Sequence, residues 1–139
     1  MTAATRSAGA PGLHRVSAQW DSKDRERRAI TPPGHSSSYP PHKHDTDAVP
    51  LESSLEETYY HRIDPPQGFV FQRVYTDDRS LDETMTVEDR DVVMVPRGYH
   101  PVVVPHGYTS YYLNVMAGPR RVWHFHNDPA HEWMLAPKA

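Results

Sequence analysis

Proline most limits what this chain can fold into: there are 14 prolines among 139 residues. Proline fixes φ, lacks a backbone N–H and interrupts helices, and its share here is about twice the ~5% average. Between the prolines lie short runs of β-branched and aromatic residues, each closed by Pro, Gly or Asp. The runs are Tyr59–Ile63, Phe69–Thr76, Val92–Val95, Pro101–Val104, Tyr111–Met116 and Val122–His126. This pattern predicts a compact all-β sandwich or barrel, with short helical turns near Leu81–Met85 and Ala130–Met134.

Composition excludes several classes of protein. No stretch approaches the ~18 consecutive apolar residues of a membrane span, and a net charge of −3 offers no general field for nucleic acid or anionic lipid. The absence of cysteine removes disulfide scaffolds, iron–sulfur clusters and thiolate zinc sites. Any metal must therefore bind to Asp, Glu or the ten histidines.

The chain divides into two parts by composition. Residues 1–33 are rich in Ala, Ser, Gly, Pro and Arg and carry few large apolar side chains, so we predict a flexible, poorly structured N-terminal segment. Residues 34–139 carry the β pattern and are predicted to form one domain. No continuous apolar segment of the secretory kind is present, which favours a cytoplasmic location.

The densest group of metal-binding side chains lies in the run SYPPHKHD, residues 38–45. Alternate side chains of an extended backbone point to the same side, so His42 and His44 converge while Lys43 points away. Two imidazoles are half of a metal site. The alternative is that two histidines in a proline-rich loop are simply solvated.

Two later elements favour the metal site. The acidic pair Glu56 and Glu57 opens a strand, and His100 follows the turn Pro96–Gly98. A strand with two histidines, an acid on a later strand and a third histidine after a turn are the parts of a cupin metal site. In a cupin, a small jelly-roll barrel projects three imidazoles and one carboxylate into its mouth.

Four long strings carry a closer resemblance: SSSYPPHKHD, LEETYYHRIDPPQGFVFQRVYTDDRSLDETMTV, VVMVPRGYHPVVVPHGYTSYYLNVMAGP and FHNDPAHEW. From about Gly34 to Leu135 the chain resembles the C-terminal cupin of the 5-deoxyglucuronate isomerases of bacterial inositol catabolism. The resemblance implies a cupin-type jelly-roll β-barrel. It also implies a metal-dependent aldose–ketose isomerase, an intramolecular oxidoreductase that converts 5-deoxy-D-glucuronate to 5-dehydro-2-deoxy-D-gluconate.

The resemblance implies one divalent metal ion, with zinc or manganese as the first choices and iron as the alternative. Its ligands would be His42, His44, Glu57 and His100. Glu57 is chosen over Glu56 because the family's ligand immediately precedes a motif of the form xYY.

The substrate of such an enzyme carries a carboxylate, which a guanidinium binds through two hydrogen bonds. Arg73 is our first choice, because strand alternation places it beside Phe71 and Tyr75 on a face predicted to be partly buried. An internal salt bridge of Arg73, for example to Asp77 or Glu57, is an equal alternative. The other candidates for substrate binding or catalysis are Glu56, Tyr59, His61, Tyr75 and Arg97.

The resemblance also bears on partners and on activity. Members of this family are longer, with a first cupin packed against the metal-bearing one. We therefore expect a small sugar acid as ligand, and either a homo-oligomer or a partner that supplies the other cupin half, with no nucleic acid or membrane. Two alternatives stay open: a truncated, non-catalytic cupin that keeps its fold and metal, and a small cupin dioxygenase, since three histidines and one glutamate also suit Fe(II).

Overall fold

The computed structural model describes residues 6–7 and 25–136. Its longer strands are β2 (Arg25–Thr31), β5 (Glu56–Asp64), β6 (Phe69–Tyr75), β7 (Asp82–Glu88), β8 (Val92–Val95) and β10 (Thr109–Ala117). Strands of two residues are β1 (Arg6–Ser7), β3 (Ser36–Ser37), β4 (His42–Lys43), β9 (Val102–Val103) and β11 (His126–Asn127). One 3₁₀ helix spans Pro129–Leu135. The prediction of an all-β fold is confirmed.

The strands form antiparallel sheets. A five-stranded sheet has the order β1-β8-β5-β10-β2, a four-stranded sheet has the order β3-β9-β6-β7, and β4 pairs with β11. Side chains from both larger sheets meet in one core, which includes Val93 of β8, Val70 and Val74 of β6, and Val87 of β7, each 0% exposed. The sheets therefore enclose a single interior, as predicted for a cupin-type jelly roll.

Two central strands line this interior with polar as well as apolar side chains. Alternate residues of β5 face inward, namely Glu57, Tyr59, His61 and Ile63. Alternate residues of β10 do the same, namely Ser110, Tyr112, Asn114 and Met116. Buried polar groups need partners, so this polar column is where a functional site is expected.

One predicted helical turn is wrong and the other is confirmed. Instead of a turn at Leu81–Met85, the chain forms strand β7, which pairs along its whole length with β6. The inward face of β7 carries few apolar residues, so its own sequence pattern does not indicate a strand. Pairing with β6 decides its conformation. The turn predicted at Ala130–Met134 lies inside the 3₁₀ helix, whose first turn is capped by Asp128. In the predicted run Val122–His126, the strand includes only its last residue, His126, at the start of β11.

The sheet begins before the predicted domain start at residue 34. Strand β2 (Arg25–Thr31) pairs with β10, with Thr31 opposite Ser110 and Arg25 opposite Met116. The predicted flexibility of the N-terminal segment otherwise concerns residues 1–5 and 8–24, which lie outside the described residues. Within the described ranges, no helix has the length and apolar character required to cross a membrane.

Candidate metal centre

The four residues predicted to bind a metal lie together at one end of the interior. His42, His44 and His100 each offer one ring nitrogen, and these three nitrogens lie within 4.8 Å of one another. Glu57 Oε2 lies 3.1 Å from His44 Nε2 and 3.0 Å from His100 Nε2. His44, His100 and Glu57 are each at most 3% exposed. The arrangement offers three imidazoles and one carboxylate to a single ion.

Different elements bring these side chains together. His42 lies in β4, Glu57 in β5, and His100 follows the turn after β8. The backbone N–H of Leu55 donates to the carbonyl of His44 (2.8 Å), so the chain returns beside His44 just before Glu57. The long segment between the two ligands therefore does not separate them.

Glu52 holds the connecting segment, residues 45–54, in a compact shape. Its Oε1 accepts the backbone N–H groups of Asp45 (2.8 Å) and Thr46 (2.9 Å), and its Oε2 lies 3.3 Å from Lys43 Nζ. Asp45 Oδ2 also accepts the backbone N–H of Gly98 at 2.8 Å. This last bond ties the segment that carries the first two histidines to the turn that precedes the third.

Backbone carbonyls orient the rings. His44 Nδ1 lies 3.1 Å from the carbonyl of Leu55, and His100 Nδ1 lies 2.8 Å from the carbonyl of Gly98. A hydrogen bond from the Nδ1 proton leaves Nε2 as the atom with a lone pair. Both Nε2 atoms then face Glu57, as expected where a backbone acceptor fixes the tautomer of a metal-binding histidine.

Electrostatics favour the protonation states that bind metal at His42 and Glu57. Burial, together with the neighbouring His100 and His44, lowers the pKa of His42 to about 4, so its ring is neutral near pH 7. Burial opposes ionisation of Glu57, but its contacts with His100 and His44 outweigh burial and hold its pKa below the ordinary value. Contact with Glu57 outweighs burial at His44 and raises the pKa of that ring.

These residues fit a divalent cation. His100 Nε2 is buried and makes no well-aligned hydrogen bond, although it lies 3.0 Å from Glu57 Oε2. A lone pair facing a carboxylate oxygen is repulsive unless a proton or a cation lies between them. Three neutral imidazoles and one carboxylate are a donor set suited to zinc, manganese or iron.

Comparison with known proteins identifies the family. Residues 28–134 match the KduI/IolB family. The chain belongs to this family. It is 77% identical over 105 residues to a protein of Bacillus velezensis named 5-deoxy-glucuronate isomerase, and this match covers 76% of the chain. It is 74% identical over 102 residues to a protein of the same name from Listeria monocytogenes serotype 4b, covering 73% of the chain.

A solved structure supports the fold of this family member. The crystal structure of an IolB-like protein from Salmonella typhimurium LT2 matches with a TM-score of 0.80 and 57% sequence identity, over 81% of this chain and 43% of that one. The chain spans 39% of the length of the Bacillus relative and 37% of the Listeria relative.

Arg73 lies beside Tyr75 on a partly buried face, as predicted, but its guanidinium is paired with a carboxylate of the protein. The inward residues of β6 are Val70, Gln72 and Val74, each 0% exposed, so Arg73 lies on the outer face with a side chain 43% exposed. Its Nε and Nη2 each donate to the Asp82 carboxylate at 2.8 Å. Alternation along the strand was predicted correctly, and the face with Phe71 and Tyr75 is partly buried as predicted, since Phe71 is 40% and Tyr75 is 2% exposed. The salt-bridge alternative is confirmed in kind, with Asp82 rather than Asp77 or Glu57 as partner.

Three further candidates also lie away from the histidines. Glu56 is exposed on the opposite face of β5 from Glu57. Tyr75 is 2% exposed and its hydroxyl donates to Asp128 Oδ2 at 2.8 Å. Arg97 is exposed and lines a separate cleft of about 350 Å³ whose other lining residues are Lys43, Asp45, Thr76, Asp77 and Asp78. The structure does not bring these three side chains to the metal centre.

Tyr59 and His61 lie beneath the metal centre, inside the barrel. The Tyr59 ring is 5.9 Å from that of His100 and 5.9 Å from that of His61. Burial and the nearby Glu57 carboxylate raise the pKa of Tyr59. Burial lowers the pKa of His61 to about 4, and its Nε2 lies 3.1 Å from Gln72 Oε1. Tyr59 is 1% exposed and His61 is 0% exposed; Tyr59 packs against the centre through His100, whereas His61 contacts Gln72.

Sequence reasoning missed two features of the site. Asn114 of β10 is 8% exposed and donates a hydrogen bond from Nδ2 to Glu57 Oε1. Phe125 and Trp123 form an aromatic wall beside His42, with ring centroids 4.8 Å and 6.4 Å from that of the histidine. The inward position of Asn114 in an alternating strand was a usable signal. No sequence signal indicated the aromatic wall, because it depends on how the C-terminal segment folds back onto β4.

Proposed function

We propose that this chain is the metal-bearing part of a 5-deoxy-glucuronate isomerase, which converts 5-deoxy-D-glucuronate to 5-dehydro-2-deoxy-D-gluconate in inositol catabolism. The observation that carries the proposal is the convergence of His42, His44, His100 and Glu57 on one point. Relatives named 5-deoxy-glucuronate isomerase, 74–77% identical over 102–105 residues, support the choice of reaction. A cytoplasmic location is part of this proposal.

The reaction moves hydrogen between C1 and C2 of the open-chain sugar acid, and negative charge develops on its oxygens. A divalent ion, when bound, supplies electrostatic stabilisation of that charge. The protein's part is to hold three imidazoles and one carboxylate at fixed positions. The aromatic wall of Trp123 and Phe125 lies against one side of His42.

The donor set supports zinc or manganese as the resident ion, with iron as the alternative. Zinc binds imidazole and carboxylate ligands, and manganese accepts a larger share of oxygen ligands, which a sugar acid supplies. Iron would fit the same donors, and it would be the ion of the alternative function, a dioxygenase.

Metal removal is expected to abolish ketone formation by the full chain. Elemental analysis of the purified protein should find about one divalent ion per chain, and incubation with 5-deoxyglucuronate should produce ketone. Chelation should remove both the ion and the activity, and addition of Zn²⁺ or Mn²⁺ should restore them. Bound metal without ketone formation would contradict the isomerase proposal and favour a non-catalytic cupin. Oxygen consumption with Fe²⁺ would favour a dioxygenase.

We also propose that the chain associates with a further copy or with a subunit that supplies the other cupin half. Large apolar side chains lie on its surface, including Ile30, Leu51 and Trp133, which are 74%, 77% and 69% exposed. Exposed apolar side chains favour association where they form a contiguous patch. Sedimentation at high concentration should give a mass above the 15.9 kDa of one chain, and a clean monomer would contradict this part of the proposal.

A further inference from the structure

We propose that Asn114 is a positioning residue of the metal centre, whose amide fixes the rotation of the Glu57 carboxylate. This inference rests on the metal site of the proposed function. Asn114 Nδ2 donates to Glu57 Oε1, whereas Glu57 Oε2 is the oxygen that faces His44 Nε2 and His100 Nε2, at 3.1 and 3.0 Å. One carboxylate oxygen is therefore bound by the amide and the other is presented to the ion.

Strand register gives Asn114 this reach. Across β5 and β10, Met116 is directly opposite Glu57 and Asn114 is opposite Tyr59. Asn114 is thus the diagonal neighbour of Glu57 on the same inward face, a distance that a polar side chain can bridge. Met116, which is 1% exposed, offers only an apolar wall from the directly opposite position. Of these two positions on β10, only the diagonal one supplies a donor to Oε1.

Stability alone does not explain an asparagine at this place. Asn114 is 8% exposed, and its Oδ1 is buried without a hydrogen-bond partner among the described residues. A buried polar atom without a partner is destabilising, so an apolar residue of similar size would satisfy the fold better. The bond to Glu57 is the feature that distinguishes the amide from such a residue.

The chemistry of the amide suits the task. A carboxylate that binds an ion through one oxygen is free to rotate unless its second oxygen is bound. An amide N–H binds that oxygen without bringing a positive charge that would repel the ion. An acidic side chain in its place would offer no donor when ionised, and a lysine or arginine would compete with the metal for Glu57.

The test measures metal affinity in the full chain. Zn²⁺ is titrated in competition with a chromophoric chelator, using the wild type, Asn114→Leu and Asn114→Val. We expect each variant to bind Zn²⁺ about 10- to 100-fold more weakly, the range found when a partner of a metal ligand is removed. Thermal melting in excess chelator reports folding separately, and Asn114→Val, which favours a strand, is the second variant if the leucine does not fold. Wild-type affinity in a folded variant would overturn the proposal.

A double-mutant cycle separates positioning from a general structural effect. In a Glu57→Gln background the leucine substitution should change Zn²⁺ affinity by less than about 3-fold, because Asn114 acts through the carboxylate. The same 10- to 100-fold loss in that background would overturn the proposal. Gln72→Leu is the matched control: Gln72 is a buried amide, 0% exposed, whose Oε1 contacts His61 rather than a metal ligand. This variant should bind Zn²⁺ as the wild type does, and an equal loss of affinity would contradict a specific role for Asn114.

Because the test measures Zn²⁺ affinity and not ketone formation, the role of Asn114 can fail or hold independently of the proposed reaction. Wild-type protein that binds Zn²⁺ but forms no ketone would contradict the isomerase and leave the Asn114 result interpretable. Wild-type protein that binds neither Zn²⁺ nor Mn²⁺ would overturn the metal site, and the role of Asn114 with it.

Discussion

Replacing His42 and His44 together with alanine is expected to eliminate stoichiometric metal binding. The two rings supply half of the four donors, and the remaining pair, Glu57 and His100, lie on separate elements. Loss of a single partner of a ligand weakens binding about 10- to 100-fold, so loss of two ligands should exceed about 100-fold. Elemental analysis after dialysis, followed by Zn²⁺ titration, measures the effect.

A matched control removes two histidines that do not face the site. His35 and His106 are exposed, and His35 Nδ1 bonds to the carbonyl of Pro33. The variant with both changed to alanine should keep the full metal content, which excludes a general effect of histidine number. If the His42→Ala, His44→Ala protein still bound one metal ion per chain, the proposed site would be refuted, whether the chain is an isomerase, a dioxygenase or a non-catalytic cupin.

Replacing Gly98 with alanine is expected to destabilise the protein more than the same change at Gly107, although both glycines have positive φ. Gly98 has φ +91°, and an added Cβ would lie 2.6 Å from the carbonyl oxygen of Tyr75. The left-handed conformation alone costs about 1–2 kcal/mol for a residue with a Cβ, and a contact this close also requires the backbone to move. We expect the free energy of unfolding to fall by about 2–4 kcal/mol and the melting temperature by about 10 °C.

The same substitution should weaken metal binding. The carbonyl of Gly98 accepts from His100 Nδ1 and its N–H donates to Asp45, both at 2.8 Å. A shift of this backbone therefore moves the third histidine relative to the first two. Zn²⁺ affinity should fall along with the melting temperature.

Gly107 provides the control for backbone conformation alone. It has φ +88°, but an added Cβ would meet nothing within 4 Å. Gly107→Ala should lose only about 1–2 kcal/mol and keep wild-type metal affinity. Equal melting temperatures and affinities for the two variants would contradict the argument from close contact with Tyr75.

The ligand set was predicted from the family resemblance, and local patterns account for how two of its elements present their side chains. His42 and His44 are two residues apart, which in extended backbone gives a common side, and β5 alternates so that Glu57 and Glu56 face opposite ways. The structure agrees on both points. Local alternation survives folding because each strand keeps its period of two residues whatever it pairs with.

Which face of a strand is buried could not be predicted in the same way. In β6 the alternation was correct, and the face with Phe69, Phe71 and Arg73 is partly buried as predicted, but alternation alone did not say which face points into the interior. The interior receives Val70, Gln72 and Val74, each 0% exposed. Tyr75 is buried on the outer face, where its hydroxyl donates to Asp128, the residue that caps the 3₁₀ helix. That contact joins residues 53 positions apart.

The sequence by itself determined the all-β character, the strand periods and the residue types available to a metal, because proline spacing, alternation and the lack of cysteine act locally. Only the tertiary structure decided which sheet face is the interior, that residues 82–88 form a strand, that Glu52 closes the connecting segment, and that Asn114 reaches Glu57. These depend on pairing between distant strands. The physical reason is that hydrogen bonds and burial across a sheet join residues far apart in the chain, and local conformational preference does not specify those partners.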